Sequence, residues 1–263
     1  MDQYYIIVTY ILAGLLGLCV GSFLNVVIYR VPNNMNLAKP ASHCPKCGYV
    51  LRWYDNIPIL SYLMLGGKCR SCKEHISIRY TLVEILNMLL WLLSVYLFWE
   101  ESIVYSVIAM LASTLLVCVF FIDLEHMLIF NRFSISIAVL GIVAMFFDDY
   151  TEIIDHILGG VIGGGIFVLL YYGAIWVLKK EGFGWGDVKL VAAAGLLLGW
   201  QKLLFAMLVA SITGSIVLLA IRAIKKDEEG KEYPFAPFIV AGIMISMFVG
   251  AEVIQWYTNL LLG

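Results

Sequence analysis

The sequence predicts an all-α membrane protein with about eight transmembrane helices and a small cysteine-containing cytosolic domain between the first two. Two observations predict this fold class. Hydrophobic residues make up 62% of the 263 residues and charged residues only 14%, whereas soluble domains average about 45–50% and about 25%. In addition, four cysteines occur as two CxxC motifs within one polar loop. The apolar composition predicts a lipid bilayer as the partner of this chain, and the net charge of −2 is too small to suggest a nucleic-acid partner.

Apolar stretches near the ~20 residues that cross a bilayer mark the transmembrane helices. In chain order they are 4–29, 82–98, 103–122, 133–147, 157–178, 188–199, 203–222 and 237–257. The fourth and the sixth are short, so they either extend into flanking polar residues or are half-spans buried among the other helices. In the fifth, the run GGVIGGG places Gly159 with Gly163, and Gly160 with Gly164, on one face, where small residues allow close helix approach.

The distribution of positive charge predicts the orientation of the chain. If the N-terminus lies outside, the loops 30–81, 123–132, 179–187 and 223–236, with the adjoining span ends, lie in the cytoplasm. They then hold all but one of the 17 Lys and Arg residues, and the exception is Lys202. Because basic loops stay in the cytoplasm, we expect a multi-pass protein of the cytoplasmic membrane with both termini outside.

The long loop 30–81 contains the motifs CPKC at 44–47 and CRSC at 69–72. Two such motifs can present four thiolates tetrahedrally, which is the usual geometry of structural zinc. The alternative is two disulfides, which are rare among cytosolic thiols. We therefore predict a zinc-binding domain between the first and second helices, with the ligands Cys44, Cys47, Cys69 and Cys72. Because the protein would supply every ligand, the metal is expected to be structural. A small core is expected from seven apolar and aromatic residues of the loop: Trp53, Tyr54, Ile57, Ile59, Leu60, Tyr62 and Leu63.

Two aspartates lie at inner span ends. Asp123 follows the apolar run of the third span, and Asp187 precedes the sixth in the motif GWGD. Ionisable groups in such positions are costly and usually functional, although Asp187 alone could also be the N-cap of the helix predicted to begin just after it. Two carboxylates at one membrane face can share a proton and activate water against an amide. Gly184 and Gly186 would then supply backbone freedom and room for a substrate backbone. Glu84, at the inner end of the second span, is a third acidic candidate without a motif around it.

Together these residues resemble the bacterial type IV prepilin peptidases, the leader peptidase/N-methyltransferase family of GxGD membrane aspartyl proteases. Besides GWGD with Asp123 and the paired CxxC motifs, the resemblance rests on GSFLNVVIYRVP (21–32), RYTLVE (79–84) and PFAPF (234–238). It covers nearly the whole chain. The chain departs from the commoner PFGPF by Ala236, and after Asp123 it has LEHMLIFN where relatives often carry a proline and an aspartate.

The resemblance implies an enzyme of the bacterial inner membrane with two activities. It would cleave the basic leader of type IV prepilins or pseudopilins after a glycine, with Asp123 and Asp187 as the catalytic pair. It would then methylate the new N-terminal amine with S-adenosylmethionine, an activity associated in such proteins with the cysteine loop. No residues that bind S-adenosylmethionine can be assigned, because no Rossmann-type pattern is present. The implied parts are a first transmembrane helix (1–29), the cysteine domain (30–81) and the peptidase domain (82–263).

Three alternatives remain open from the sequence. The chain could be a peptidase that does not methylate, or an intramembrane protease like the signal peptide peptidases, although the cysteine loop argues against the latter. It could also be a transporter with a regulatory zinc domain, in which paired acids relay protons. Within the peptidase hypothesis, Asp187 opens a helix and Asp123 closes one, so the helix dipoles favour the resting proton on Asp123. Lys189 would either receive an acidic side chain of the substrate or extend toward the membrane surface.

Overall fold

The structure is a computed structural model that describes residues 3–148, 151–179, 184–225 and 233–262. Parts of three predicted loops, at 149–150, 180–183 and 226–232, lie outside the described residues. The charges that the orientation hypothesis places there include Asp149, Lys180, Lys226 and Lys231.

The described residues fold into nine α-helices and a single 3-10 turn at Trp53–Asn56, which confirms the all-α class. The helices are α1 Gln3–Arg30, α2 Leu60–Met64, α3 Arg79–Phe98, α4 Ile103–His126, α5 Asn131–Ala144, α6 Ile153–Leu178, α7 Trp185–Leu198, α8 Trp200–Lys225 and α9 Ala236–Leu262. Eight of them correspond to the eight apolar stretches of the sequence. The ninth, α2, is a short helix inside the cysteine loop.

Six of the described helices are long and apolar enough to cross a membrane: α1, α3, α4, α6, α8 and α9. The fourth and sixth apolar stretches are short helices, as predicted, because α5 and α7 have 14 residues each. At 1.5 Å per residue such a helix is about 21 Å long, which is less than the ~30 Å hydrocarbon core of a bilayer. Most residues of α7 are buried, so its backbone runs among other helices.

The chain forms two compact units, Met1–Glu100 and Glu101–Gly263. In the first unit, α1 packs along α3 through polar contacts at successive turns. Asn25 donates from Nδ2 to the Tyr80 carbonyl at 2.9 Å, and Asn87 donates to a carbonyl of α1 at 2.8 Å. Between them a Cβ on Gly21 would stand 2.8 Å from the Glu84 Cα. The missing side chain therefore lets the two backbones meet at Glu84.

In the second unit, α6 packs closely against α7 through the predicted glycine face. A Cβ on Gly159 would collide with backbone atoms of α7. Gly160, Gly163 and Gly164 likewise face side chains and carbonyl oxygens of that helix. The close-packing interpretation of GGVIGGG is therefore confirmed, and the contact fixes α7 along much of its length.

A buried polar cluster joins α6, α8 and the end of the segment that follows α5. Lys202 donates from Nζ to Asp148 Oδ2 at 3.1 Å, and His156 Nε2 lies 3.7 Å from the same oxygen. His156 Nδ1 lies 2.9 Å from the Leu196 carbonyl oxygen on α7. Because a carbonyl oxygen can only accept, Nδ1 carries the hydrogen in this contact.

Candidate catalytic and metal sites

Asp123 lies in the last turn of α4. The helix ends at His126, and the next residue, Met127, has a left-handed backbone (φ 52°) and donates its N–H to the Asp123 carbonyl at 2.9 Å. Asp123 itself is only 5% exposed. Its carboxylate accepts the backbone N–H of Ala236, the first residue of α9. The end of one helix and the start of another thus fix this side chain.

Asp187 lies in the first turn of α7, and it is not the N-cap. The helix begins at Trp185, earlier than predicted, and its N-cap is Gly184. Asp187 Oδ2 accepts the Gly184 N–H at 3.0 Å, and the Asp187 N–H donates to the Gly184 carbonyl at 3.0 Å. The first of these bonds is one half of a capping box, and glycine has no side chain to supply the other half. The N-cap interpretation of Asp187 is therefore wrong by three residues, because the helix extends into the GWGD motif.

The structure brings the two predicted aspartates together within the second unit. Their carboxylates are close enough for their charges to interact, and both residues are buried, with Asp187 8% exposed. Because two like charges disfavour each other, one of the carboxylates can stay protonated while the other is ionised, and the pair can then supply both an acid and a base. The catalytic role of Asp123 and Asp187 remains a prediction.

Neither glycine of GWGD has a conformational role, and Gly186 has a spatial one. Gly184 has φ −74°, and Gly186 is not among the glycines with positive φ, so the predicted need for backbone freedom is wrong. A Cβ on Gly186 would instead stand 2.9 Å from the Ile129 Cβ, in the connection between α4 and α5. Gly186 thus allows the start of α7 to approach the chain that follows Asp123.

Neighbouring side chains hold the first turn of α7 in place. The Trp185 ring stands edge-to-face against Tyr171 of α6, with centroids 5.3 Å apart, and lies 6.5 Å from the Tyr172 ring. Lys189 donates from Nζ to Asn131 Oδ1, at the start of α5, at 2.9 Å. Neither of the two hypotheses for Lys189 included this contact with α5.

The segment PFAPF contributes a backbone group that the sequence analysis missed. The motif served there only to support the resemblance, whereas in the structure its Ala236 N–H contacts Asp123. The rings of Phe235 and Phe238 lie 6.2 Å apart and pack over Gly214 of α8. A Cβ added at Gly214 would stand 3.1 Å from the Phe235 ring. The sequence signal that could have indicated this contact is an aromatic motif with two prolines at the start of a predicted span.

The four predicted cysteine ligands form one cluster. All four Sγ atoms lie within 4.8 Å of one another, and Cys44–Cys72 and Cys47–Cys69 are both 3.9 Å apart. Tetrahedral zinc with Zn–S bonds near 2.3 Å requires sulfurs roughly 3.8 Å apart, whereas a disulfide requires about 2.05 Å. The donor set and its spacing therefore fit zinc, and all four thiols are free of disulfides.

The two CxxC motifs fold into matching turns. In the first, the Gly48 N–H donates to the Cys44 carbonyl at 2.9 Å, and in the second the Lys73 N–H donates to the Cys69 carbonyl at 3.1 Å. The residue after each motif has positive φ, 72° at Gly48 and 60° at Lys73. The backbone N–H groups of Cys72 and then Ser71 point at Cys69 and lower the pKa of its thiol to about 7. These N–H groups favour the thiolate form of Cys69, which is the form that binds a metal.

A buried aspartate, and not an apolar core, connects the two cysteine turns. Asp55 accepts Arg70 Nε at 2.8 Å, the Arg52 N–H at 3.1 Å and the Tyr49 hydroxyl at 3.3 Å. Burial opposes ionisation, but the hydrogen bonds from Arg70 and Arg52 outweigh it and hold the pKa of Asp55 below its ordinary value.

The predicted apolar core of this loop is wrong. None of its seven predicted members is fully buried, and Trp53 is 79% and Leu63 67% exposed. With so little apolar burial, the loop depends on polar contacts and on the cysteine cluster for its stability.

Residues 15–98 match the family described as the bacterial peptidase A24 N-terminal domain, and residues 109–219 match the type IV leader peptidase family. Curated relatives that carry the name prepilin leader peptidase/N-methyltransferase include the following three. The protein from Pseudomonas aeruginosa PAO1 is 35% identical over 271 residues, covering 92% of this chain and 91% of the relative. The protein from Aeromonas salmonicida A449 is 32% identical over 277 residues, covering 95% of this chain and 94% of the relative. The protein from Myxococcus xanthus DK1622 is 41% identical over 203 residues, covering 77% of this chain and 60% of the relative. No solved structure matches the chain.

Proposed function

This chain belongs to the type IV leader peptidase family, and we propose that it cleaves type IV prepilins or pseudopilins and methylates their new N-terminal residue. Both activities are in the names of relatives that cover nearly all of the chain. The observation that carries the proposal is the pair of buried, interacting carboxylates of Asp123 and Asp187, held at the ends of two different helices.

The aspartate pair would perform the hydrolysis without a covalent intermediate. One ionised carboxylate takes a proton from a water molecule as the water oxygen attacks the scissile carbonyl. The other, protonated carboxylate donates its proton to the carbonyl oxygen, and a proton is then returned to the leaving amine as the C–N bond breaks. We assign the ionised role to Asp187, because the start of α7 favours negative charge and the end of α4 opposes it.

The methyl-transfer activity would belong to the unit that contains the cysteine cluster. Cys44, Cys47, Cys69 and Cys72 would hold a structural zinc ion, which leaves no metal position open to a reactant. S-adenosylmethionine would supply an electrophilic methyl group to the new N-terminal amine. The residues of this chain that bind S-adenosylmethionine remain unassigned.

The functional parts that we propose are a first transmembrane helix (1–29), the zinc-binding domain (30–81) and the peptidase domain (82–263). The clustering of Lys and Arg in alternate loops supports an orientation in the bacterial inner membrane with the N-terminus outside. The cysteine loop and the aspartates would then both face the cytoplasm. Prepilins with a basic leader would meet the enzyme at that face.

The test uses purified protein in detergent with a prepilin substrate and S-adenosylmethionine, and the product is read by mass spectrometry. Wild type is compared with Asp123→Asn and Asp187→Asn. Each change replaces a carboxyl group with an amide of similar size that can act neither as the acid nor as the base. We therefore expect the cleavage rate to fall by about 10²–10⁴-fold or more. The matched control is Asp155→Asn, since Asp155 accepts the Trp200 Nε1–H at 2.9 Å and an amide oxygen can still accept it.

The outcomes separate the alternatives. Loss of the leader together with the addition of one methyl group by the wild type supports both activities. Cleavage without methylation leaves a peptidase only. Cleavage that persists in both Asp→Asn variants contradicts the aspartate assignment. Ion flux that depends on these aspartates, without cleavage, favours a transporter.

A further inference from the structure

The cysteine loop contains a strained turn between its two motifs. Ile59 has φ 61° and ψ −53°, and the Leu60 N–H donates to the Pro58 carbonyl across it. This is a three-residue γ-turn of the positive-φ form, which is rare and strained. The β-branched side chain of Ile59 makes the conformation still less favourable. Such a turn persists only where surrounding contacts fix it.

The contact that fixes this turn comes from a membrane helix. Glu84, in the second turn of α3, accepts the Ile59 N–H on Oε2 at 2.8 Å. The carboxylate also accepts a hydrogen bond from the Ser22 hydroxyl of α1. Glu84 is 8% exposed and lies where Gly21 brings the two helix backbones together. A carboxylate is thus buried where three segments of the first unit meet: α1, α3 and the turn at Ile59.

The same turn is connected to the cysteine cluster by one short segment. Asp55, four residues before Ile59, binds Arg70 and Tyr49, which adjoin the two cysteine motifs. Helix α2, which begins immediately after Ile59, leads to Gly67 and then to Cys69. Residues 55–59 therefore join the cluster at one end and the membrane helices at the other.

We propose that Glu84 is a positioning residue for methyl transfer, whose carboxylate fixes the Ile59 turn and so holds the cysteine-cluster segment on α3. The proposal rests on the proposed function, in which the unit Met1–Glu100 serves methylation. The leader-peptidase family match at 109–219 contains both aspartates and lies outside that unit. Although Glu84 lies within the proposed peptidase domain (82–263), it packs in the unit Met1–Glu100, so it affects methylation and not leader cleavage.

The experiment compares Glu84→Ala with Glu84→Gln in the full-length protein. An amide oxygen of Gln can still accept the Ile59 N–H, whereas Ala leaves this half-buried donor without its acceptor. We expect Glu84→Ala to lower the rate of methyl transfer by about tenfold or more and Glu84→Gln to stay close to wild type. Cleavage and zinc content are measured on the same samples, and both are expected to be unchanged.

Asn25→Ala is the matched control, because it removes a hydrogen bond between α1 and α3 without touching the loop. Hydrogen exchange of the peptide covering residues 57–64 gives an independent readout. We expect exchange there to rise in Glu84→Ala and to stay at the wild-type level in Asn25→Ala and Glu84→Gln.

The results that would overturn the proposal are distinct from those that would overturn the function. Full methylation by Glu84→Ala excludes the positioning role. Loss of zinc or of cleavage along with methylation shows that Glu84 serves general stability, and it also excludes that role. A wild type that removes the leader but transfers no methyl group would instead contradict the proposed second activity.

Discussion

At the scale of single residues, the GWGD motif combines an electrostatic and a steric requirement. Asp187 carries the carboxylate, and the Gly184 N–H fixes its orientation at 3.0 Å. Gly186 has a different task, because any Cβ there would stand 2.9 Å from the Ile129 Cβ. The two glycines of the motif are therefore not equivalent, although the sequence alone gives them the same apparent role.

We predict that Gly186→Ala lowers the cleavage rate by about tenfold or more. Overpacking against Ile129 costs about 1–3 kcal/mol, and a shift of about 1 Å in a catalytic group can cost 10²-fold in rate. Gly184→Ala is the matched control, since its Cβ would meet Asp187 Oδ2 at 3.4 Å, an ordinary contact. Steady-state cleavage assays on folded protein check this prediction. Equal rates for the two variants would contradict the steric role of Gly186.

At the scale of elements, buried polar contacts around Lys202 link helices of the second unit to each other. Lys202 is the one cation that the charge distribution leaves outside the cytoplasmic loops. The structure explains how it is accommodated, since its Nζ lies 3.1 Å from Asp148 Oδ2 and the Asp148 side chain is fully buried. His156 lies beside the same oxygen. The pair therefore joins the start of α8 to the segment after α5.

Lys202→Met is expected to destabilise the protein by about 3–5 kcal/mol, because it removes the ammonium group that contacts the buried carboxylate of Asp148. The double variant Asp148→Asn/Lys202→Met should recover much of that loss, since no uncompensated charge remains. Thermal unfolding in detergent measures both. The control is Lys189→Met, whose partner is an exposed amide and whose effect should stay near 0.5 kcal/mol. Additive losses in the double variant would mean that the two charges do not stabilise each other.

At the scale of the whole molecule, the two proposed chemistries lie in different compact units. The four cysteines belong to Met1–Glu100 and the two aspartates to Glu101–Gly263. The cysteine loop buries little apolar surface, so we expect its fold to depend on a bound metal more than on an apolar core. The helices of the second unit have a core of their own, which includes Leu116, Ile122 and Leu198.

Removal of zinc with a chelator should therefore abolish methyl transfer and leave cleavage within about twofold of wild type, since metal binding and folding are coupled only in the loop. Adding zinc back should restore methylation. Cys44→Ser with Cys69→Ser should reproduce the chelated state, whereas Cys19→Ser, outside the cluster, should not. Equal loss of both activities on chelation would show that the metal supports the second unit as well.

The sequence by itself determined the membrane class and the helices, and it singled out the four cysteines that cluster and the two aspartates whose catalytic role remains a prediction. Hydropathy marks a span because a bilayer core must be crossed by about 20 apolar residues. Two CxxC motifs predict a metal because the ligand chemistry is local to each motif. These features follow from short windows of sequence, and the structure has helices at all eight apolar stretches and places the four thiols together.

Only the tertiary structure decided which groups meet across the chain. The Ala236 N–H on Asp123, the Ile129 side chain against Gly186 and the Glu84 carboxylate on the Ile59 turn each join residues far apart in sequence. The expected apolar core of the cysteine loop failed for the same reason. Whether an aromatic residue is buried depends on what packs against it, and periodicity in a short irregular loop does not contain that information.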